Sequence, residues 1–320
     1  MKIAVFDPYN GKFMKDPCDW WTNHGYEVKR ETYYNPELVD WADVVWFHTA
    51  DNNLLSATNP DQALKDEWKY TNRPGAWDMH EMDLSNKKII VEPIDIEIWG
   101  GSHAHDNMWQ LVDDVVFLAP HIQQIMMADS RPQQGHFKQY VIPPGVDLNR
   151  WTFAEHNPGK KIAIVSEKWI IKGMQNILQI AYELPRDYEF HWVGVWSNDY
   201  PYFHDYCMDF IQKHNLNFIF YDWVDNLDEW LEDKNFLLHA GMKEAFCFAI
   251  AQAMAKGIKP IPHAFYGSED IWPELTWNTP QEAIKQIKGD YDSYSYRQYL
   301  IDHEYTIDQR MEKIEEIIHG

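Results

Sequence analysis

Cysteine is scarce in this chain: Cys18, Cys207 and Cys247 are the three among 320 residues. They stand far apart with no paired spacing, which excludes a disulfide framework and a zinc ribbon and suits a reducing, cytoplasmic compartment. Long apolar runs are lacking as well. The longest near the start is Ile3 to Phe6 and the longest anywhere is Phe246 to Ala251, against the roughly 20 residues a membrane span needs. Neither a transmembrane segment nor a secretory signal is expected. Positive charge is the third shortage, since 28 Lys and Arg face 50 Asp and Glu for a formal net charge of -22. Such a surface repels polyanions and disfavours broad binding along a nucleic-acid backbone.

What the chain has in quantity is core material. Apolar residues make up 45% and charged residues 24%, as in ordinary folded proteins. At about 150 residues per domain, this length makes two domains or one large one. Aromatic residues are abundant, with 16 Trp, 18 Tyr and 15 Phe. Their faces can stack on sugars or bases, but rings of this size mostly fill cores.

Short apolar runs bounded by turn residues recur along the first half: KIAVFD at the start, then DVVWFHT, KKIIVEPID, DVVFLAP and Gln139 to Ile142. They are spaced for helices or crossovers between them, which is α/β alternation around a parallel sheet. After VIPPGVDLNRW and the polar stretch His156 to Gly159 the pattern restarts with KKIAIVSE. A domain boundary between Trp151 and Gly159 follows. In the second half Met174, Ile177, Leu178, Ala181 and Leu184 fall at helical spacing, followed by the strand-like EFHWVGV, NFIFYDWV, NFLLHAG and IKPIPHAF. Thr279-Pro280-Gln281-Glu282 reads as a capping box, and Ile307, Met311, Ile314 and Ile318 stripe a closing helix.

The most specific segment is HAGMKEAFCFAIAQAMAKG, residues 239–257. A strand ends, a glycine turn follows, and a helix is expected to start at or near Glu244, where free N–H groups and the helix dipole attract phosphate oxygens. Gln252 lies eight residues on, a little over two helical turns, so both side chains are expected to face one cleft. Two more segments accompany it: YVIPPGVDLNRW at 140–151, and VSEKWIIKG at 165–173.

Together these three segments resemble the retaining, family-four-like glycosyltransferases of the GT-B fold, which include bacterial glycan mannosyl- and glucosyltransferases. Their signature E-G-F-x5-E-A-M-A-x-G is met by Glu244-Ala245-Phe246, five residues, and Gln252-Ala253-Met254-Ala255-Lys256-Gly257. Their V-I-P-N-G-V-D linker and V-G-R-x-x-x-x-K-G stretch match the other two. The resemblance covers most of residues 110–275. It implies an α/β GT-B fold of two Rossmann-like domains facing a cleft: an acceptor-side domain over 1–150, a sugar-nucleotide-binding domain over 151–300, and a helix over 301–320 that packs back on the first domain.

The resemblance also implies roles for single residues. Lys172, with Lys168, grips the donor diphosphate. Glu244 holds the donor sugar, Gln252 meets the ribose, and Gly241, Ala245, Phe246 and Cys247 border the donor. Gly11, in the turn after the first strand, is a glycine loop near the phosphates. Asp95, or Glu97, stands at the strand end where the family often has a histidine. There are departures: Glu167 replaces the family's Arg, Gln252 its second Glu, and Ala245 and Cys247 two of its glycines. The implied reaction moves a hexosyl or pentosyl unit from a nucleotide sugar, UDP- or GDP-linked, to a hydroxyl of a glycan or other acceptor. Anomeric configuration is retained and no metal is obligatory. The alternatives are a DNA-base-modifying GT-B enzyme, disfavoured by charge, and a sugar-nucleotide-binding protein without turnover, suggested by Glu167, Gln252 and the missing histidine.

Two metal-like patterns carry less. His103-Ala104-His105-Asp106 lacks the continuation of a metallohydrolase loop, and Asp290-Tyr291-Asp292 has no buried strand leading into it and reads as a solvated turn.

Overall fold

The computed structural model describes residues 1–7, 14–32, 34–48, 86–93, 109, 111–128, 133, 135–197 and 201–320. The chain divides into two units, Met1–Gly145 with Ile307–Gly320, and Val146–Thr306.

In the first unit the described elements are β1 (Lys2–Phe6), α1 (Lys15–Asn23), β2 (Glu27–Glu31), α2 (Pro36–Trp41), β3 (Val44–Phe47), β4 (Lys88–Val91), β5 (Asp114–Phe117), α3 (Pro120–Met127) and β6 (Lys138–Val141). The strands form one parallel sheet in the order β2-β1-β3-β4-β5-β6. Its central strands are short apolar runs buried on both faces, the pattern that a parallel sheet covered by helices imposes. β2 is different. Its sequence EVKRE is largely exposed and gives no apolar run, so the sequence reading holds no strand there. It is an edge strand, and charge on an edge discourages further pairing.

A terminal helix (Ile307–His319) completes this unit. Ile307, Met311, Ile314, Ile317 and Ile318 join Ile3, Val5, Trp21 and Trp46 in one core cluster. Trp20 Nε1 donates to Asp308 at 2.9 Å, and Tyr26 OH donates to Glu315 at 2.7 Å. Arg310 Nη1 donates to the carbonyls of Ile142 and Pro143, both at 2.8 Å, where the chain leaves β6.

The second unit runs β7 (Lys161–Val165), a 3-10 turn (Ile170–Lys172), α4 (Met174–Glu183), β8 (Glu189–Val193), α5 (Pro201–Lys213), β9 (Phe218–Tyr221), α6 (Leu227–Leu231), β10 (Phe236–His239), α7 (Phe248–Ala255), β11 (Lys259–Pro262), α8 (Ser268–Ile271), α9 (Pro280–Lys288) and α10 (Ser293–Asp302). All five strands are parallel, in the order β11-β10-β7-β8-β9. Ile162, Ile164, Phe190, Trp192, Phe236 and Leu238 of the sheet pack with Met174, Ile177, Leu178 and Ala181 of α4. Thr279 and Glu282 form both halves of a capping box at the start of α9. Asp292 caps α10, accepting from the N–H groups of Tyr294 and Ser295, which accounts for the Asp-x-Asp pattern as a helix start.

The boundary falls at Gly145 and Val146, earlier than the 151–159 stretch that sequence punctuation marks. The reason is hydrogen bonding. Val146 N–H donates to Tyr305 at 2.9 Å, Arg297 donates to Leu148 at 2.9 Å and to Trp151 at 3.2 Å, and Ala154 N–H donates to Lys256 at 3.1 Å. These bonds tie the turn-rich stretch to the second unit, whose far end extends to Thr306. Among the described residues no helix is long and apolar enough to cross a membrane.

Candidate functional site

Strand order in the second unit reverses between β7 and β10: β8 and β9 continue to one side of β7, while β10 and β11 lie on the other. Loops leaving the carboxyl ends of two such strands part there and open a crevice, the usual ligand position in open α/β sheets. A pocket occupies this place, lined by Val165, Ser166, Lys172, His239, Gly241 and Ala249 among others.

Two loops bring its polar groups together. The loop after β7 ends at Lys172 and Gly173, and Gly173 has φ +72°. A Cβ on Gly173 would lie 1.9 Å from the carbonyl oxygen of Ala240. Only glycine lets this loop seat against the end of β10, a close approach that adds to its left-handed backbone. Met242 N–H then donates to Ile171 at 3.0 Å, locking the two loops.

Across this junction Lys172 Nζ lies 2.6 Å from Glu244 Oε1. The same oxygen is 3.4 Å from His239 Nε2, and His239 is 8% exposed. Burial alone would raise the Glu244 pKa, but His239 and Lys172 outweigh it and hold the carboxyl down at about 2. Burial likewise works against a charged His239, but its neighbours Cys247 and Glu244 raise its pKa to about 10. For Lys172 burial is again opposed, chiefly by Glu244, and the net shift is upward. The site is therefore a carboxylate held between two cations, a preorganised charge cluster at a strand-end crevice.

Glu244 does not sit on a helix. α7 begins at Phe248, and Cys247 ahead of it is left-handed, at φ 69° and ψ 77°. This corrects the expected helix start at Glu244 and with it the two-turn argument linking Glu244 to Gln252: one side chain belongs to the loop after β10, the other to α7. A Cβ residue in the left-handed region costs about 1–2 kcal/mol, so the thiol stands where a glycine would fit without strain.

Other expected residues divide. Gly241 adjoins the pair: a Cβ there would meet His239 Nε2 at 2.8 Å and Glu244 Oε1 at 3.1 Å. Ala245 and Gln252 are half-buried. Phe246 is a correction. Its ring is buried against Trp272 and Tyr305, and its carbonyl accepts from Trp272 Nε1 at 2.8 Å, so its side chain belongs to the core. Lys168 is another. It is fully buried and turned toward β8 and β9, away from β10, with Nζ donating to the carbonyls of Gly194 and of Tyr221, the latter at 2.9 Å. Burial lowers its pKa to about 8. Asp95, Glu97, Gly11 and the His103-x-His105 pattern lie outside the described residues.

Sequence reasoning missed His239. The residue lies inside the motif-bearing segment, but nothing local tells whether a histidine ending an apolar run turns into the core or onto the loop that follows.

No family model matches the chain, and no curated protein matches its sequence. Solved structures do match. Anabaena Alr3699/HepE in complex with UDP is 13% identical over 100% of both chains, with a TM-score of 0.70. Sucrose-phosphate synthase from Thermosynechococcus elongatus is 12% identical over 100% of this chain and 98% of that one, with a TM-score of 0.69. An alpha-glucosyltransferase in complex with UDP and a 13-mer DNA containing an HMU base is 12% identical over 100% of this chain and 99% of its own, at 0.71. The fold is GT-B. In this GT-B chain the Lys172, Glu244 and His239 cluster occupies the switch point of the second Rossmann-like unit.

Proposed function

We propose that this protein is a glycosyltransferase that binds a nucleotide sugar at the carboxyl edge of β7 and β10, with UDP as the nucleotide. The observation that carries the reading is the 2.6 Å Lys172–Glu244 pair at the switch-point pocket, in a fold whose solved examples include structures with UDP. The pair supplies both halves of donor recognition. Without ligand the two charges neutralise each other. An arriving diphosphate takes the Lys172 ammonium, and Glu244 is released to accept a hydrogen bond from a donor-sugar hydroxyl. As the glycosidic bond breaks, negative charge grows on the leaving diphosphate. Lys172 and the amino end of α7 stabilise it without reorganising, the electrostatic work that elsewhere falls to a metal. Gln252 on α7 meets the ribose.

The family resemblance supports retention of anomeric configuration, a hexosyl or pentosyl donor, no obligatory metal, and an acceptor hydroxyl held by the first unit. A glycan acceptor suits the net charge of -22 better than DNA, whose binding would show a steep salt dependence.

Calorimetric titration with UDP, GDP and uridine tests the donor reading. UDP is expected to bind, and uridine, lacking the diphosphate, to bind at least tenfold more weakly. Glu244→Gln is expected to retain UDP and to reduce transfer tenfold or more, about 1.4 kcal/mol of transition-state stabilisation. A folded protein that binds neither nucleoside diphosphate overturns the reading.

A further inference from the structure

Beside the Lys172–Glu244 pair stands a third donor atom. A ring nitrogen of His239, a carboxylate oxygen of Glu244 and the Cys247 sulfur all lie within 4.8 Å of one another. Around one tetrahedral zinc ion, with bonds of about 2.0–2.3 Å, such atoms stand about 3.3–3.7 Å apart. His239 and Glu244, at 3.4 Å, already have that separation.

Two further features favour an ion here. Gly241 has no side chain to cover the pair, and a Cβ at that position would press on both His239 Nε2 and Glu244 Oε1. Cys247, for its part, occupies a left-handed backbone position that glycine takes freely, so the strain brings a thiol to the cluster.

The geometry points to His239, Glu244 and Cys247 as a three-ligand site for a zinc-class divalent ion, whose occupancy withdraws Glu244 from the nucleotide sugar. Imidazole, carboxylate and thiolate together select zinc or a neighbouring d-block ion over magnesium or calcium, which take oxygen ligands. Three protein ligands leave the fourth position open, as in exchangeable rather than closed structural zinc sites. Binding releases the thiol proton and any proton on the imidazole, and it displaces the Lys172 ammonium, which faces the same carboxylate. The regulatory half of the inference rests on the donor reading above; the metal site itself does not.

The test starts from metal-stripped full-length protein titrated with Zn2+ by calorimetry and with Co2+ by absorbance. One equivalent is expected to bind, and the cobalt form to show a thiolate charge-transfer band in the near ultraviolet. Cys247→Gly, which relaxes the backbone rather than straining it, is expected to abolish that band and weaken zinc at least tenfold. His239→Gln is expected to weaken zinc similarly, with the fold checked by circular dichroism. Lys172→Ala should move the two ligands oppositely, tightening zinc severalfold while weakening UDP. Zinc binding that is absent, or unchanged in Cys247→Gly, overturns the site. If a UDP-hexose, whose sugar Glu244 would hold, binds equally well with and without one equivalent of zinc, the competition fails. If zinc binds and no nucleotide does, the donor reading falls and the metal site stands.

Discussion

The two sheets end in charged residues at their carboxyl edges, and they treat those charges in opposite ways. In the second unit Lys172 and Glu244 remain partly exposed, and Lys172 lines a pocket. In the first unit Asp7, His48 and Glu92 follow the adjacent strands β1, β3 and β4 and are 0%, 2% and 3% exposed. There Arg310 of the terminal helix closes the cluster, with Nη2 2.9 Å from Glu92 Oε2 and two further bonds to the carbonyls after β6. Charge at a strand end is therefore no sufficient sign of a ligand site. What separates the two edges is whether another element of the same chain already supplies the counter-charge and removes the water.

The largest effect that could break this comparison is expected from Arg310→Met. It leaves Glu92 buried without its partner, a loss of about 3–5 kcal/mol by chemical denaturation. A loss below about 1 kcal/mol would mean that the network behaves as a surface pair.

His48 tests the same burial through pH. Burial and, secondarily, Arg310 lower its pKa from 6.5 to about 3. Between those values the unfolded chain binds a proton that the folded chain does not, so stability rises with pH through that window and is lost as pH falls from about 6.5 toward 3. Glu92, Arg310 and Asp7 are the charged groups of this network, and Glu92, itself pushed up by burial against the pull of Arg310, opposes this slope at the acid end, because the folded chain there keeps a carboxyl proton that the unfolded chain has lost. Thermal melts of the wild type and His48→Gln across this range should show a flatter dependence in the variant. Parallel curves would place His48 outside the network.

At the open edge the expected sign differs. Lys172→Ala should weaken UDP by about 1.5–3 kcal/mol, the worth of a charge-assisted hydrogen bond, while the melting point moves little because the pair is partly exposed. A large loss of stability with unchanged UDP affinity would make the pair structural, like its counterpart around Arg310. The smallest effect is expected from Cys247→Gly. Relief of left-handed strain, about 1–2 kcal/mol, is offset by the greater chain entropy of glycine, about 0.5–1 kcal/mol. A net gain of a few tenths to 1 kcal/mol in the melt is the outcome, and a clear loss would mean that the thiol is a packing residue.

The sequence by itself determined the α/β class, the strands that consist of apolar runs, and the glycine-punctuated loops after β7 and β10. Those features are local. An apolar run of four or five residues buries itself whatever its neighbours, and Gly173 marks a turn through its own backbone. The charged edge strand β2, with no such run, stayed invisible for the same reason. Only the tertiary structure decided where polar side chains point. Lys168 and Lys172 lie four residues apart in one loop, yet one is consumed by carbonyls at the ends of β8 and β9 and the other meets Glu244. His239, Phe246 and Arg310 were assigned to pocket, core and buried ion pair by partners 5, 26 and 218 residues away. The partner of a charge is set by which strands lie side by side and which helix covers them, and parallel pairing brings together segments too distant in the chain for local pattern to relate.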